Sequence, residues 1–490
     1  MKTITLVFCL FTTLPLLAQK HPINFEWPKP RVIGGLFYMF SLGENGTVFY
    51  EQDVRGPMSA VMKIAYISAD GKTSWVSDKV KNMAIDCDVV WDDAGFTVYN
   101  KNSKKKSVEF WHYDYKGKVT ASGESKFEYP VLSIFRSGEK RIAILESDKK
   151  QLKKLYIQEL APKTFAPAGS PKPVEAPEAK VRSDLQIASR LKGTVENYWA
   201  FGGADETRLF FYGKKVLLKE GLVQFEIIIT DHSGRKVNGF TRQIELAPGN
   251  YVNRTWKSRE HLRRLAWYDE FYTGGSSPGE TVYVPHYTLD AGTYGECMVD
   301  WRQSAVYFYG SSSSKPEDNR IAPDGYFVQK YSLSGEKLWS IEKKIEKEQK
   351  GKKLPAEYNS PSNEILYLNP VNKNVLYRKF PALAMVADEK GAVTLNAKPV
   401  SAEYSEAGQP RHFDQNKLLG FYHAELMQTD LLSAFLQADA AAALHKHFEA
   451  NGHPSSFYII QVNKGYATVL ETNPETESYA VWTVPFTSGQ

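Results

Sequence analysis

Short runs of β-branched and aromatic residues, broken by polar turns, recur along the whole chain. In residues 325–342, Gly-Tyr-Phe-Val-Gln-Lys-Tyr-Ser-Leu-Ser-Gly-Glu-Lys-Leu-Trp-Ser-Ile-Glu, two such runs flank the turn that ends at Gly335. They predict two strands joined by a tight hairpin, with Gly335 supplying a positive φ and Ser332 accepting a backbone hydrogen bond. The arrangement repeats. Aligning Gly71, Gly117, Gly234, Gly335 and Gly391 places Ser68, Asp114, Asp231, Ser332 and Asp388 three positions earlier, each a side chain that opens turns.

In that register the chain divides into seven units. The first holds Leu36-Phe37-Tyr38-Met39-Phe40, a turn at 43–46 and Thr47-Val48-Phe49-Tyr50. In the second, Cys87-Asp88-Val89-Val90-Trp91 followed by Phe96-Thr97-Val98-Tyr99 matches Cys297-Met298-Val299-Asp300-Trp301 followed by Val306-Tyr307-Phe308-Tyr309 of the fifth at identical spacing. The third runs from Tyr129 to about Leu160 without a marker glycine. The fourth contains Arg208 to Gly213, close to Ala305 to Gly310, and the buried run Phe225 to Thr230. The sixth spans Glu364 to the Gly391 turn. The seventh carries the one amphipathic helix expected, over 430–451, with Asp430 as cap, Leu432, Phe435, Leu436, Ala440, Ala443, Leu444 and Phe448 on one face and Asn451-Gly452 as a left-handed stop.

Three stretches interrupt this rhythm. Prolines 162, 167, 171, 173 and 177 cannot donate ladder bonds, so 162–180 reads as an enlarged surface loop or a domain boundary, the loop favoured because the same units resume beyond it. Residues 248–295 form a long insertion. Glu342 to Lys353 reads as a short solvated helix. A radial arrangement of the units would remove the long sheet edges that such strands otherwise expose, so the expected fold is all-β, a single β-propeller of about seven four-stranded blades over 19–490.

The hairpins Gly71 to Trp75 and Gly335 to Trp339 resemble the Gly-x-x-x-Trp hairpins of quinoprotein-like propeller repeats, which implies the same fold. The other marker turns lack the tryptophan, and the resemblance implies no quinone cofactor; no cofactor is expected. Ser68, Asp70, Gly71 and Trp75 are also similar to the aspartate box of sialidase-type propellers. Here the Asp and Gly are adjacent where that motif separates them, so sialidase chemistry is not implied.

A chain of 490 residues exceeds the usual size of one hydrophobic core, and 42% hydrophobic residues with 13% aromatics exclude a disordered chain. Met1-Lys2, the apolar run Ile4 to Leu17 and Ala18-Gln19 read as a signal peptide over 1–18, cleaved after Ala18, which makes the mature protein secreted or periplasmic and compatible with a cell-surface association. Bulky Phe8 before Cys9 argues against a lipid anchor. No later run reaches the roughly twenty apolar residues of a membrane helix, so no integral membrane segment is expected in the mature chain. The net charge of +5 is modest. Lys104-Lys105-Lys106 and Lys352-Lys353 therefore read as solvated loops, and no nucleic-acid partner is expected. Cys87 and Cys297 fall in blades that are not neighbours and are expected to be buried and unbonded.

For chemistry, the insertion concentrates Arg254, Trp256, Arg259, His261, Arg263, Arg264, Trp267, Tyr268, Asp269, Glu270, Tyr272, His286 and Tyr287. Aromatic faces stack on sugars and arginines fork onto carboxylates, so Arg254, Trp256, Arg259, His261, Arg263, Trp267, Tyr268, Tyr272 and His286 are the candidate ligand-binding residues, for a glycan or a partner protein. Asp86, Asp88, Asp92 and Asp93 could supply an acid and a base for glycoside cleavage, although turn formation accounts more simply for the last two. His445 and His447 lie two apart on the helix and face different directions. His412, Asp414 and His423 lack a metal-ligand spacing. The expected function is a non-enzymatic propeller binding through the loops of one face. The alternative is a polysaccharide hydrolase or lyase whose acids converge on the axial channel.

Overall fold

In the computed structural model the strands form seven four-stranded antiparallel blades arranged as a propeller. The structure describes residues 18–21, 35–56, 59–78, 80–82, 87–147, 154–176, 195–196, 200–217, 222–245, 255–256, 284–285, 294–312, 325–344, 364–369, 371–379, 383–397, 412–413, 419–428, 430–463, 465–473 and 478–486.

Blade 1 comprises Gly35–Ser41, Thr47–Gly56, Ser59–Ile67 and Ser74–Val76, with Val80–Asn82 beside the last. Blade 2 comprises Cys87–Asp92, Gly95–Asn102, Ser107–Asp114 and Val119–Lys126. Blade 3 comprises Val131–Ser137, Lys140–Glu146, Leu155–Leu160 and Pro167–Pro173. Blade 4 comprises Ala200–Ala204, Arg208–Leu217, Leu222–Asp231 and Lys236–Glu245, with Val195–Glu196 also on its inner edge. Blade 5 comprises Tyr294–Asp300, Ala305–Ser312, Gly325–Ser332 and Lys337–Lys344. Blade 6 comprises Glu364–Leu368, Val375–Lys379, Leu383–Ala387 and Val393–Ala397.

Blade 7 is assembled from both ends of the chain. Phe457–Asn463, Tyr466–Asn473 and Ser478–Pro485 are its first three strands, and Gln19–His21 pairs along the outside of the third. The direction of the first of these fixes the correspondence: Gln461, near the end of Phe457–Asn463, meets Thr47 and Gly46 at the first turn of blade 1, so this strand runs toward that turn as the inner strands do. Phe486 N donates to Gly465 O here as Leu333 N donates to Ser304 O in blade 5, in each case just after the third strand. The sequence reading took each unit as contiguous; the ring is instead closed by its first strand. Inside the ring, His412–Phe413 pairs with the inner strand of blade 1 and Leu419–Tyr422 with that of blade 7, so the chain crosses this boundary a second time on the channel side.

Each blade runs from its inner to its outer strand, so antiparallel alternation places both hairpin turns on one face. Call this the hairpin face, and the opposite one the connection face. All five marker glycines have positive φ, between 70° and 91°. In each, the glycine N–H donates to the carbonyl of the Ser or Asp three positions earlier, at 2.9 to 3.0 Å. The glycine is required twice over. Trp75 of blade 1 lies on Gly117 of blade 2, its Nε1 donating to Tyr115 O at 3.1 Å, and a Cβ on Gly117 would come within 2.9 Å of the ring. Trp339 covers Gly391 in the same way and donates to Glu389 O at 3.1 Å. Phe240 covers Gly335, and Thr483 covers Gly71. Apolar clusters fill the spaces between neighbouring blades, so the core is divided around the ring rather than gathered at one centre.

Three expectations need correction. Pro167–Pro173 is not a linker but the outer strand of blade 3, where a residue without an N–H is tolerated because one side of the strand has no partner. Its turn lacks glycine; Phe165 takes φ +54° there, fully buried against Phe110 and Tyr99 of blade 2. The helix at 430–451 is two helices, α2 (Leu431–Phe435) and α3 (Ala438–Asn451), preceded by α1 (His423–Gln428). Leu436 and Gln437 are extended and break the run. Gly452 is extended, not left-handed, and its lack of a side chain instead admits His423, whose ring would lie 2.6 Å from a Cβ. Glu342 to Lys344 belong to a strand rather than a helix, and 345–353 lie outside the described residues.

The helices wedge between blades 6 and 7. Leu431, Leu432, Phe435, Leu444 and Phe448 share a core with Leu376 and Val386 of blade 6 and with Tyr458 and Val469 of blade 7. Asn369, Asn372 and Asn374, in the first turn of blade 6, donate to Phe435 O and Ala434 O at 2.7 to 3.1 Å and so hold the carbonyls at the end of α2. Arg378 and Glu425 form a buried ion pair between blade 6 and α1. Cys87 and Cys297 are buried and form no disulfide with each other, as the sequence predicted.

Candidate functional site

The two faces differ in loop length. On the hairpin face the described turns are short. The stretches 174–199, 246–293, 345–363 and 398–411 each leave the end of an outer strand, at Pro173, Glu245, Lys344 and Ala397, and therefore depart from the connection face. Glu245 and Tyr294, the described residues that bound the insertion, thus lie at the connection face. Within it, Thr255–Trp256 pairs with Val284–Pro285, which places Trp256 on a two-residue strand. Arg254, Arg259, His261, Arg263, Trp267, Tyr268, Tyr272 and His286 lie outside the described residues.

The hairpin face carries a belt of ion pairs that sequence reasoning missed. The last residue of an inner strand, or the one after it, is Asp92, Asp205, Asp300 or Asn369 in blades 2, 4, 5 and 6, and each accepts hydrogen bonds from backbone N–H groups two or three positions on. The second oxygen of each aspartate takes a side-chain donor. Asp92 pairs with Arg141 of blade 3, which also donates to Trp91 O at 2.9 Å. Arg141 is only 2% exposed, and burial pushes its guanidinium below the usual value while Asp92 opposes the shift. Asp93 pairs with Arg136 at 3.0 Å, whose hydrogen bond holds the carboxyl low. Burial raises the Asp205 carboxyl, but hydrogen bonds from Arg208 and from the Thr207 and Arg208 N–H groups outweigh it and keep it below the ordinary range. Arg208 in turn lies 4.9 Å from the Trp301 ring of blade 5.

In blade 5, Gln303 donates to Asp300 at 2.8 Å and accepts from Lys330 at 2.6 Å, and the ammonium also reaches Glu389 O of blade 6 at 3.4 Å. Burial lowers the Lys330 ammonium, against the raising effect of Glu389 and Asp300. These groups join turns of adjacent blades. The signal for them was present in the sequence as an Asp or Asn at the end of successive inner strands, a second period beside the glycine markers. The paired arginines follow no fixed spacing and were not legible.

The remaining acids and histidines are placed as follows. Asp88 accepts from Tyr99 Oη at 3.1 Å and from Val89 N at 2.8 Å; Asp86 and Asp414 lie outside the described residues. Asp88, Asp92 and Asp93 are thus held by donors of their own and the next blade. His445 faces solvent with Glu449 at 3.2 Å whereas His447 is buried, so the two diverge as expected. Among the described residues no His, Cys, Asp and Glu gather as metal ligands. A polar group gathers where α3 returns to blade 7. His453 Nδ1 meets Ser455 Oγ at 2.7 Å, and Glu471 accepts from Ser456 Oγ at 2.8 Å and from Tyr458 Oη at 3.3 Å. His423 stands over Tyr458, its imidazole lowered by burial. Ser455 N also points at His453 Nδ1, at 3.4 Å, which makes that contact part of a turn.

No family model matches the chain, and no curated protein matches it. Solved structures that resemble it include hydrazine synthase of Kuenenia stuttgartiensis, 8% identical with a TM-score of 0.40, covering 91% of this chain and 94% of that one. Sqt1 of Saccharomyces cerevisiae is 5% identical with a TM-score of 0.39, over 91% and 88%. A protein from Lactobacillus plantarum is 13% identical with a TM-score of 0.36, over 74% and 84%. No helix among the described residues is long and apolar enough to cross a membrane.

Proposed function

We propose that the protein is an exported, non-enzymatic propeller that binds a partner protein or a glycan through the loops of its connection face. The observation that carries this reading is the asymmetry between the faces. One is locked by short turns and ion pairs between blades; from the other depart the long stretches, one of which holds the arginine and aromatic residues of 254–287. Long loops on a rigid scaffold are where propellers and other β folds place recognition. For the alternative of polysaccharide cleavage, the acids of blade 2 that seemed available in sequence are engaged by Tyr99, Arg141 and Arg136.

The test is a glycan array, a search for co-purifying surface proteins and a hydrolysis screen, run on the secreted protein and on a variant with 248–293 replaced by a short Gly/Ser link. Binding that disappears in the shortened variant while its circular dichroism is unchanged supports the reading. Release of shortened oligosaccharide by the intact protein overturns it. N-terminal sequencing should begin at Gln19.

A further inference from the structure

The boundary between blades 7 and 1 has an apolar core, in which Phe49 and Ala65 meet Ile459 and Leu470, but at the level of the turns it differs from the boundary between blades 1 and 2. Between blades 1 and 2, the rings of Tyr66, Trp75, Phe96 and Tyr113 stack at 5.5 to 5.9 Å. At the corresponding level of blade 7, the surface facing blade 1 is a polar row across neighbouring strands, Gln461 beside Thr468, Thr468 beside Thr483 and Thr483 beside Gln19. All but Gln19 are buried, as are Thr47 and His21. Thr47 Oγ1 donates to Gln461 Oε1 at 2.7 Å, Gln461 Nε2 donates to Gly46 O at 3.1 Å, and His21 Nε2 meets Thr483 Oγ1 at 2.8 Å. Thr468 Oγ1, fully buried in the same row, has no hydrogen-bond partner. The strand that closes the ring on this side pairs over three residues only, Gln19 to His21 against Thr483 to Val481.

We propose that this seam is a proton-operated closure, in which charging His21 releases the strand Gln19–His21 from blade 7 and opens the ring between blades 7 and 1. A neutral imidazole can share its hydrogen bond with Thr483 in either direction. An imidazolium would have to sit among hydroxyl and amide groups, with no carboxylate among the described residues to receive it. Nearby on blade 1, Asp70 is taken by Ser68 at 2.7 Å and by Lys72 at 3.1 Å, and Lys72 itself is a cation. On blade 7, Tyr466 lies beside Lys72. On the closing strand, Lys20 lies over Trp482, 5.4 Å from its ring, with buried His447 on the same indole from α3. Cleavage after Ala18 would add the α-ammonium of Gln19, one more positive charge. Among the described residues, none of these supplies a counter-ion for a charged His21.

Burial already holds the His21 imidazole below its ordinary value. The open form therefore takes up the proton more readily than the closed one. Closure is fully favoured above the ordinary imidazole value of about 6.5 and weakens as pH falls below it, by at most about tenfold in the opening equilibrium per pH unit for a single group.

Hydrogen–deuterium exchange of the mature chain, followed at 478–485, the strand on which Gln19–His21 pairs, from about pH 7.5 to about pH 5 and corrected for intrinsic exchange, reads this directly. Protection there should fall with acid while the strands of blades 3 and 4 keep theirs, and His21→Gln, which retains a donor for Thr483 but cannot charge, should flatten the pH dependence. A Lys20→Cys, Trp482→Cys pair, oxidised in the presence of native His21, should abolish the acid loss and restore it on reduction. Acid-independent protection in the wild type, or an equal acid loss in His21→Gln, overturns the proposal.

Discussion

Substituting Gly391 by alanine tests the rule that organises the ring, because it separates a backbone requirement from a packing one. Gly391 has φ +85°, and a Cβ there would lie 2.8 Å from Trp339 of the preceding blade. Placing alanine in a left-handed conformation costs about 1–2 kcal/mol, and forcing a methyl group against a fixed indole about 1–3 kcal/mol more. The expected loss for Gly391→Ala is therefore about 2–5 kcal/mol. Gly138, at φ +57° with nothing within 4 Å of a Cβ, provides the control, since its alanine variant should show the backbone cost of about 1–2 kcal/mol alone. In Trp339→Ala the crowding is absent, so adding Gly391→Ala should then cost no more than Gly138→Ala does. The coupling between the two sites should be about 1–3 kcal/mol by a double-mutant cycle. Urea unfolding followed by circular dichroism measures each term. If Gly391→Ala and Gly138→Ala prove equally destabilising, or the cycle closes with no coupling, the indole does not rest on the turn and the blade-to-blade rule fails.

Other sites give further expectations. Burial pushes His447 down to about 4, with its ring edge-on to Trp482 and Asn451 donating to its Nδ1. Its neutral form is the folded one, so its contribution is complete above about pH 6.5 and about 3 kcal/mol of stability is lost as pH falls toward 4, a loss that His447→Leu should remove from the pH profile of urea unfolding. Arg141→Ala strands Asp92 and should cost about 3–5 kcal/mol, whereas Arg141→Met, which keeps the stem packed, should cost less; thermal unfolding of the two variants side by side reads the difference. Cys87 and Cys297 are buried, so a thiol reagent should find neither in the native protein and both after denaturation, and labelling of the folded form would contradict the packing described.

Local chemistry made much of this fold legible. A glycine that must adopt positive φ, preceded by a side chain that accepts from the turn, is specified within five residues, and all five such turns formed as read. The match between the Cys87 and Cys297 hairpins held for the same reason, since both contribute the inner strand and the same aromatic positions at a blade boundary. What failed depends on the partner across the gap. Nothing within 162–180 announces that one side of that strand has no partner, so its prolines looked prohibitive. Gln19–His21 is too short to carry a period, and only Ser478–Pro485, at the far end of the chain, makes it a strand. The break at Leu436 and Gln437 satisfies the turn of blade 6 through Asn369 and Asn374, which no helical periodicity contains. The candidate ligand residues remain a reading of composition, since all but Trp256 lie outside the described residues.

The division between faces follows from a constraint on where a ring of this kind can tolerate change. A turn on the hairpin face touches a neighbouring blade, through Trp75 and Gly117 or through Asp92 and Arg141, so a residue added there shifts two sheets and their shared core. On the connection face the length of a loop enters the stability only through the entropy of joining its ends, which grows by about 0.6 kcal/mol for each doubling. A stretch as long as 246–293 can therefore be carried at small cost on one side of the ring and not on the other. Inserting the same Gly/Ser segment between Lys104 and Lys105 on the connection face, where both are exposed, should change stability by about 1 kcal/mol or less, whereas inserting it between Asp93 and Ala94 should cost several times more, because it pulls Asp92 away from Arg141. Equal losses at the two positions would mean that the faces are not mechanically distinct and would remove the ground for placing recognition on one of them.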